Sequence, residues 1–584
     1  MEGAMQQSGK NRAWPFIVVR HDMGVNDVPE VFARLMECHG RHPGACDEFW
    51  FATGSRKTAS ALEKEVETFA RYRPLCEEHG IALGYQQGLT LGHGAAHDGR
   101  WTREGERQFS EDAWQVGRDG ARIPYLCPRS PEVLSYEREY ARTVMRVARP
   151  SSYWIDDDLR LGVCKPDGCF CDRCIAAFNA KTGGAWTRET LVAALWGAGS
   201  TGAIRAAWSA FNGESLAIYA AAAREAADAL GIPCRLGYQA VSADRIYTAR
   251  DYAPLLAALS GAAGAPVGIR PGHGFYAEAE PRGMVAKCLA VAREAERCRD
   301  CGVPVGGVCY EEENYPRRTI QKTPGAIMTE CALALASGCD SLSLYWFSAT
   351  SGEPIEEYDR FLATLRAARP YFARLAASTR RTRLGGLARL TGPHPAPDFD
   401  RYDQTDFDLA CAGIPVTVAG PGASAYYLDA KSREEGADSP DAQALPCSTV
   451  AAPAFGPFPA GPERAEFLDA LDAATGGAFP VRVDALRALR VLPRVLPDGR
   501  VDSVTLLNLS IGETGLLEVR VRRPAGAAAL LQSPGMAAPA TASAAPGARG
   551  PAPELVVALP GLAPWQIATI FLTHDSPSTA KDNT

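Results

Sequence analysis

Residues 153–174 read YWIDDDLRLGVCKPDGCFCDRC, an apolar strand that runs into three consecutive acids and then into a cysteine cluster. Cys169, Cys171 and Cys174 are too close in sequence for independent disulfides, and their spacing suits one tetrahedral ion. The fourth ligand would be Cys164, or Cys127 in the upstream segment YLCPRSPEVL. Four thiolates close a coordination shell, whereas a catalytic zinc keeps one position open. The metal is therefore read as structural, pinning the loop that follows an acid-tipped strand.

Outward from this stretch, between residues 15 and 378, short apolar runs alternate with segments of helical period. The runs are PFIVVRHD, DEFWFAT, IALGYQQG, SSYWIDDD, CRLGYQA, APVGIRPG, PVGGVCYEE and SLSLYWF. Eight strands with intervening helices predict an α/β fold, a (β/α)8 TIM barrel, whose functional side chains gather at the C-terminal strand ends. Polar residues do cluster at those ends: Arg20 and Asp22, Gln86 and Gln87, Asp156 to Asp158, Gln239, Arg270 and His273, and Glu311 to Glu313.

Beyond the basic stretch STRRTRLGG the texture changes. Residues 384–480 combine apolar-plus-turn units with one helix-period segment and read as a small α/β domain. Residues 481–573 are strand-like, with a loop rich in Pro, Ala and Gly at Ser533–Pro553, and read as a C-terminal β-sandwich-like domain. The last residues, HDSPSTAKDNT, read as an unstructured tail.

At 584 residues the chain exceeds one ordinary core. Its formal net charge of −7 gives no electrostatic reason for a nucleic-acid or anionic-membrane partner. The N-terminal segment lacks an apolar signal region, and no segment approaches the length of about eighteen apolar residues that a membrane span needs. A cytoplasmic location is expected. Seventeen cysteines, most of them scattered through apolar segments, suit a reducing compartment.

Two acid groups end apolar strands: Asp156–Asp158, and Glu311–Glu313 in VCYEEENYPRR. In a continuing strand Asp156 and Asp158 would share one face and Asp157 the other. Glycoside hydrolysis needs two carboxyl groups across the scissile bond, one to protonate the leaving oxygen and one to attack or to activate water. Aromatic residues at other strand ends (Trp50, Tyr238, Tyr276, Trp346) would stack on sugar rings. Arg20, Asp22, Gln87, His93, Gln239 and His273 would bind hydroxyl groups.

The order YLCPRSPE, strand plus acids, CFCDRCIAAF, and a late strand with acid-x-x-Pro followed by a helix and YWF resembles glycoside hydrolase family 42, the β-galactosidase family. The resemblance implies zinc ligands at Cys127, Cys169, Cys171 and Cys174, with Cys164 spare. It also implies a Rossmann-like trimerisation domain over 384–480, a homotrimer, and an oligosaccharide or glycoside substrate. The family's acid/base Glu, preceded by Asn, falls on Asp158, preceded by Asp157. Its nucleophile, three residues before a Pro, falls on Glu313. Glu311, on the same strand face, is the second choice for that role, and Asp157 the second choice for the acid.

The first reading is thus a retaining, β-galactosidase-like glycosidase acting at a terminal bond through Asp158 and Glu313. Because Asp-Asp replaces Asn-Glu, the competing reading is a catalytically inert glycan-binding barrel or assembly scaffold. A metal-dependent hydrolase using the cysteines is disfavoured by their closed, sulfur-rich shell.

Overall fold

The computed structural model describes residues 14–22, 28–54, 56–92, 106–161, 168–197, 202–241, 252–316, 318–348, 352–392, 404–418, 420, 422–429, 432–433, 449–451, 462–485, 487–536, 538–546 and 553–573. His93, Cys164, the side chain of Asp22 and the C-terminal tail lie outside the described residues.

The first ten strands are Phe16–Asp22 (β1), Glu48–Gly54 (β2), Ala82–Gly88 (β3), Trp114–Val116 (β4), Arg122–Leu126 (β5), Ser152–Ile155 (β6), Arg235–Val241 (β7), Val267–Gly272 (β8), Val305–Glu313 (β9) and Ser341–Tyr345 (β10). Eight of them close a parallel barrel in the order β1-β2-β3-β6-β7-β8-β9-β10, with β10 returning to β1. These eight are the eight apolar runs picked out from the sequence. The remaining two, β4 and β5, form an antiparallel hairpin within the connection from β3 to β6. The sequence reading missed that hairpin because its strands are too short to show a period.

Alternation of side chains across each strand builds the barrel. Phe49 and Phe51 of β2 pack outward against Phe32, Phe69 and Tyr72 of the surrounding helices. Trp50, between them, points into the lumen, where it meets Trp154, Val18 and Cys309 in a separate internal cluster. Two indoles fit side by side only because their strand neighbours are glycines. A Cβ at Gly84 would lie 2.3 Å from Trp50 Cδ1, and one at Gly237 2.3 Å from Trp154 Cε3. Large and small residues are thus matched across register pairs Trp50–Gly84 and Trp154–Gly237. The indoles fill the lumen and form a floor, so the side chains one repeat further along the strands sit at the barrel's mouth.

Helices at Pro29–Arg41, Ala59–Glu78, Pro131–Val147, Gly202–Leu230, Ala253–Ser260, Arg282–Asp300, Pro324–Ser337 and Ile355–Arg381 connect or follow the barrel strands. Their apolar residues and the outward faces of the strands make one continuous core.

Past the barrel, strands Arg383–Leu384 (β11), Gly386–Arg389 (β12), Val416–Thr417 (β13), Ala423–Leu428 (β14) and Thr449–Ala451 (β15) follow in chain order. The last four make a parallel sheet in the order β13-β12-β14-β15, packed with the helices Gln404–Cys411 and Pro462–Ala474 around a small core of their own. The C-terminal strands are Val481–Asp484 (β16), Leu489–Val495 (β17), Val501–Asn508 (β18), Leu517–Arg522 (β19), Ala528–Gln532 (β20), Ala540–Pro546 (β21), Glu554–Leu559 (β22) and Ile567–Thr573 (β23). With β11 they form one nine-stranded sheet, and apolar residues from both of its ends share a single core. The sandwich-like region of the sequence is thus one sheet curled over itself. Part of the expected Ser533–Pro553 loop is strand β21, an alanine-rich segment whose pairing with β20 and β22 supplies what its side chains do not.

Candidate active site

Glu311 occupies the inward face at the end of β9. Its Oε1 accepts from Arg20 Nη1 at 2.7 Å, its Oε2 accepts from Gln239 Nε2 at 2.8 Å, and Arg270 Nη2 lies 3.4 Å from Oε1. Burial alone would push this carboxyl up, but Arg270 and Arg20, with Lys287 behind them, outweigh it and hold Glu311 below the usual range. Arg270 rests above Trp50 and is fully buried. Burial and the neighbouring Arg20 bring its own pKa down to about 10. Arg20 lies over the ring of Tyr345, and its Nε, like Nε of Arg270 and Oε1 of Gln239, has no hydrogen-bond partner. Buried donors and an acceptor left open around this carboxylate can bind a polar ligand or water.

Across the mouth, β6 ends at Ile155, so Asp157 and Asp158 lie in the turn beyond it and strand alternation no longer governs them. Asp156 and Asp158 turn toward the β3 loop. The Leu89 N–H donates to both, at 3.2 and 3.1 Å, and Asp158 N–H donates to Asp156 Oδ1. Asp157 keeps 27% of its side chain exposed, whereas Asp158 keeps 3%. Arg160 reaches both, at 3.1 and 3.3 Å. Burial raises the pKa of Asp157; Arg160 partly offsets this, and the charges of Asp158 and Glu311 add to it. Asp156 is raised well above its ordinary range by burial and then by Asp158 and Asp157. The Asp157 carboxyl is therefore within electrostatic reach of Glu311, and the two are driven in opposite directions.

Glu313 ends the same face of β9, one repeat nearer the solvent, and is partly buried. Its charge acts on Arg20 and on Tyr276. Glu312, between the two, points out through the wall to Lys322, which also binds Glu330. The three consecutive glutamates thus divide by strand alternation into two at the mouth and one in the scaffold.

The other expected contacts separate in the same way. Gln239 and Arg20 are at the site. Gln87 is not: its Nε2 donates to Glu137 at 2.8 Å and its Oε1 accepts from Tyr153, in a buried cluster outside the barrel wall. Its neighbour Gln86 faces inward and accepts from Arg270. Trp50 lies in the floor beneath the arginines, its Nε1 donating to Glu48 at 2.9 Å. Trp346 stacks on Tyr358 and Phe361 of the last barrel helix, and Tyr238 donates to Leu159 O, so both are wall residues. His273 follows β8 directly and is partly buried. Tyr276 stands at the rim, 47% exposed. Arg160 was missed in the sequence, although its three-residue spacing from Asp157 was visible there.

The four sulfurs of Cys127, Cys169, Cys171 and Cys174 lie within 4.8 Å of one another, with Cys127 Sγ 3.6 Å from Cys174 Sγ and 3.9 Å from Cys171 Sγ. A tetrahedron with metal–sulfur bonds of about 2.3 Å has sulfur–sulfur edges of about 3.8 Å, so the group is close enough to hold a metal ion. Cys127 follows β5, and Cys171 caps the helix Asp172–Thr182, so an ion there would tie the hairpin to the loop after the acids.

A closed parallel barrel with acids at its C-terminal mouth is the architecture of this chain, and solved structures share the fold. The chain is similar to the catalytic mutant of a GH42 β-galactosidase from G. stearothermophilus (10% identity, 95% of this chain and 98% of that one, TM-score 0.57). It is also similar to the Alpha-L-fucosidase isoenzyme 2 of Paenibacillus thiaminolyticus (12% identity, 96% and 100%, TM-score 0.54) and to a β-galactosidase of Rahnella sp. R3 (12% identity, 96% and 99%, TM-score 0.50). The fold is GH42-like. Protein-family profiles and curated protein sequences give no match.

Proposed function

We propose that this chain is a glycoside hydrolase that cleaves a terminal glycosidic bond with retention, in the manner of a β-galactosidase. The observation that carries the reading is the opposed pair at the mouth: Glu311 is held ionised by Arg270 and Arg20, while burial favours the protonated form of Asp157. Asp157 gives its proton to the glycosidic oxygen as the carboxylate of Glu311 attacks the anomeric carbon. The carbon–oxygen bond breaks and the leaving group departs as an alcohol. Asp157 then takes a proton from water, whose oxygen displaces Glu311 and releases the sugar. Retention requires the two carboxyl groups to lie about 5–5.5 Å apart, and inversion about 6.5–9.5 Å.

This assignment differs from the resemblance, which points to Asp158 and Glu313. Asp158 is tied to the Leu89 N–H and nearly buried, which supports its neighbour as the donor. Glu313 is the other carboxylate on the inward face. With the glycosidase reading go a structural zinc at the four cysteines, a cytoplasmic homotrimer, and three units spanning 15–378, 384–480 and 481–573.

Hydrolysis of a panel of nitrophenyl glycosides by wild type, Glu311→Gln and Glu313→Gln tests the reading. Turnover of one sugar that Glu311→Gln loses, with the fold intact, is expected; loss confined to Glu313→Gln would move the nucleophile to that residue. The inert glycan-binding barrel is favoured by one observation, the double arginine pairing of a Glu311 that is only 6% exposed. Sugar binding without hydrolysis of any panel member would establish it.

A further inference from the structure

The rim beside the acids is apolar, exposed and braced. Among the described residues seven large apolar side chains are clearly exposed, and three of them, Tyr276, Tyr315 and Ile320, lie in the two loops that follow β8 and β9. That concentration at one edge of the mouth sets the loops apart from the scattered exposure of an ordinary surface. Tyr276 and Tyr315 face each other edge to face, with ring centroids 6.5 Å apart, and are 47% and 63% exposed.

Backbone bonds lace the two loops together. Tyr315 N–H donates to Tyr276 O at 3.3 Å and Glu278 N–H to Gln321 O at 2.8 Å, while Glu278 Oε2 accepts from Thr323 N–H and Oγ1. Gly274 leaves room for the first ring, since a Cβ there would lie 3.0 Å from Tyr276 Cε2. Burial, and then the charges of Glu313, Glu311 and Asp157, raise the Tyr276 phenol to about 12, which puts that ring within electrostatic reach of the acids at the mouth.

A sugar unit that reaches Glu311 must sit inside the mouth, on the floor that the indoles and arginines make. Whatever is bonded to that unit has to leave across the rim. We propose that Tyr276 and Tyr315 form the leaving-group subsite, a preformed aromatic corner that takes a flat apolar face, supplied either by an aryl aglycone or by the C–H face of a second sugar. The proposal rests on the glycosidase reading above. A flat apolar face gains stacking contact in such a place, and preformed loops lose little entropy on binding.

The test compares leaving groups on whichever sugar the panel identifies. For Tyr315→Ala, KM for the nitrophenyl glycoside or for the disaccharide is expected to rise about tenfold. KM for the glycosyl fluoride, whose leaving group is one atom, is expected to change less than twofold. Tyr315→Phe should restore the wild-type values. A KM rise for the aryl glycoside alone identifies an aryl aglycone as the occupant, and a rise for the disaccharide alone identifies a second sugar. Equal losses on the fluoride and on the larger substrates would overturn the subsite while leaving the glycosidase reading intact. Wild-type failure on fluorides and aryl glycosides alike would overturn both.

Discussion

Arg20 Nη1 donates to Glu311 Oε1 at 2.7 Å, joining the ends of strands β1 and β9 inside the barrel's mouth. Both partners are nearly buried, and Arg20, next to Arg270, helps hold the Glu311 carboxyl below its usual range. Replacing Arg20 by Leu removes a cation from Glu311, so its pKa rises and the ionised fraction falls first at the acid end. The acid limb of kcat/KM is expected to move up by about 1–3 pH units. The native pKa of Glu311 is depressed, so the pair contributes stability that is present above the ordinary Glu value and is lost as pH falls through the lowered one. A pH profile with an unmoved acid limb would remove Glu311 from the reaction.

Asp157→Asn removes the proposed proton donor without changing side-chain size. Glycosides with poor leaving groups, such as alkyl alcohols, are expected to lose about 10²–10⁴ in kcat/KM, whereas dinitrophenyl glycosides, which need little protonation, lose far less. The same dependence on leaving group in Asp158→Asn but not in Asp157→Asn would restore the assignment that the resemblance implies.

The cysteine site makes a prediction that does not depend on activity. Purified protein is expected to carry one zinc per chain by emission spectroscopy, and Cys169→Ser to lose it with a fall in stability of ~3 kcal/mol or more. Cys164→Ser should keep the ion, since Cys127 already completes the set of four. Loss of zinc in Cys164→Ser would exchange the two ligands.

Glu137 is fully buried, accepts from Gln87 and Tyr219, and is pushed up to about 8 by desolvation. A carboxyl with a raised native pKa contributes stability that is fully present below its unfolded value and is lost as pH rises through the native one. Between about pH 5 and 8 that loss is on the order of 3 kcal/mol. Thermal unfolding of Glu137→Gln should be flatter across this range than that of wild type, and an unchanged slope would show that Glu137 ionises freely.

Gly237→Ala places a methyl group 2.3 Å from Trp154 in a lumen with no room to yield. Overpacking of this kind costs about 1–3 kcal/mol. Denaturant unfolding should show the loss, together with reduced turnover as the floor under Arg270 shifts.

All eight barrel strands were legible because each is a short apolar run with a polar end, and local pattern is enough to mark such a run. Strand β21 and the β4–β5 hairpin were not legible, since pairing with neighbours, rather than their own side chains, makes them strands. The cysteine group was readable as a set, because three of the four lie within six residues, and the fold brings Cys127 to them, close enough to hold an ion.

The acids show where sequence reading stops. Chain order alone placed carboxyl groups at the ends of β6 and β9 and separated Glu312 from Glu311 and Glu313 by alternation. It did not show that β6 stops at Ile155, which takes Asp157 out of strand alternation, within electrostatic reach of Glu311, and leaves Asp158 on the Leu89 N–H. Nor did it show that Gln87 points through the wall while Gln86 points inward, because a single residue of register reverses every side chain on a strand. Where the eight barrel strands form was set by local periodicity. Which of several identical carboxyl groups is buried, paired or open was decided largely by long-range contacts such as those of Arg20 and Arg270 with Glu311, because charge and desolvation act through space rather than along the chain.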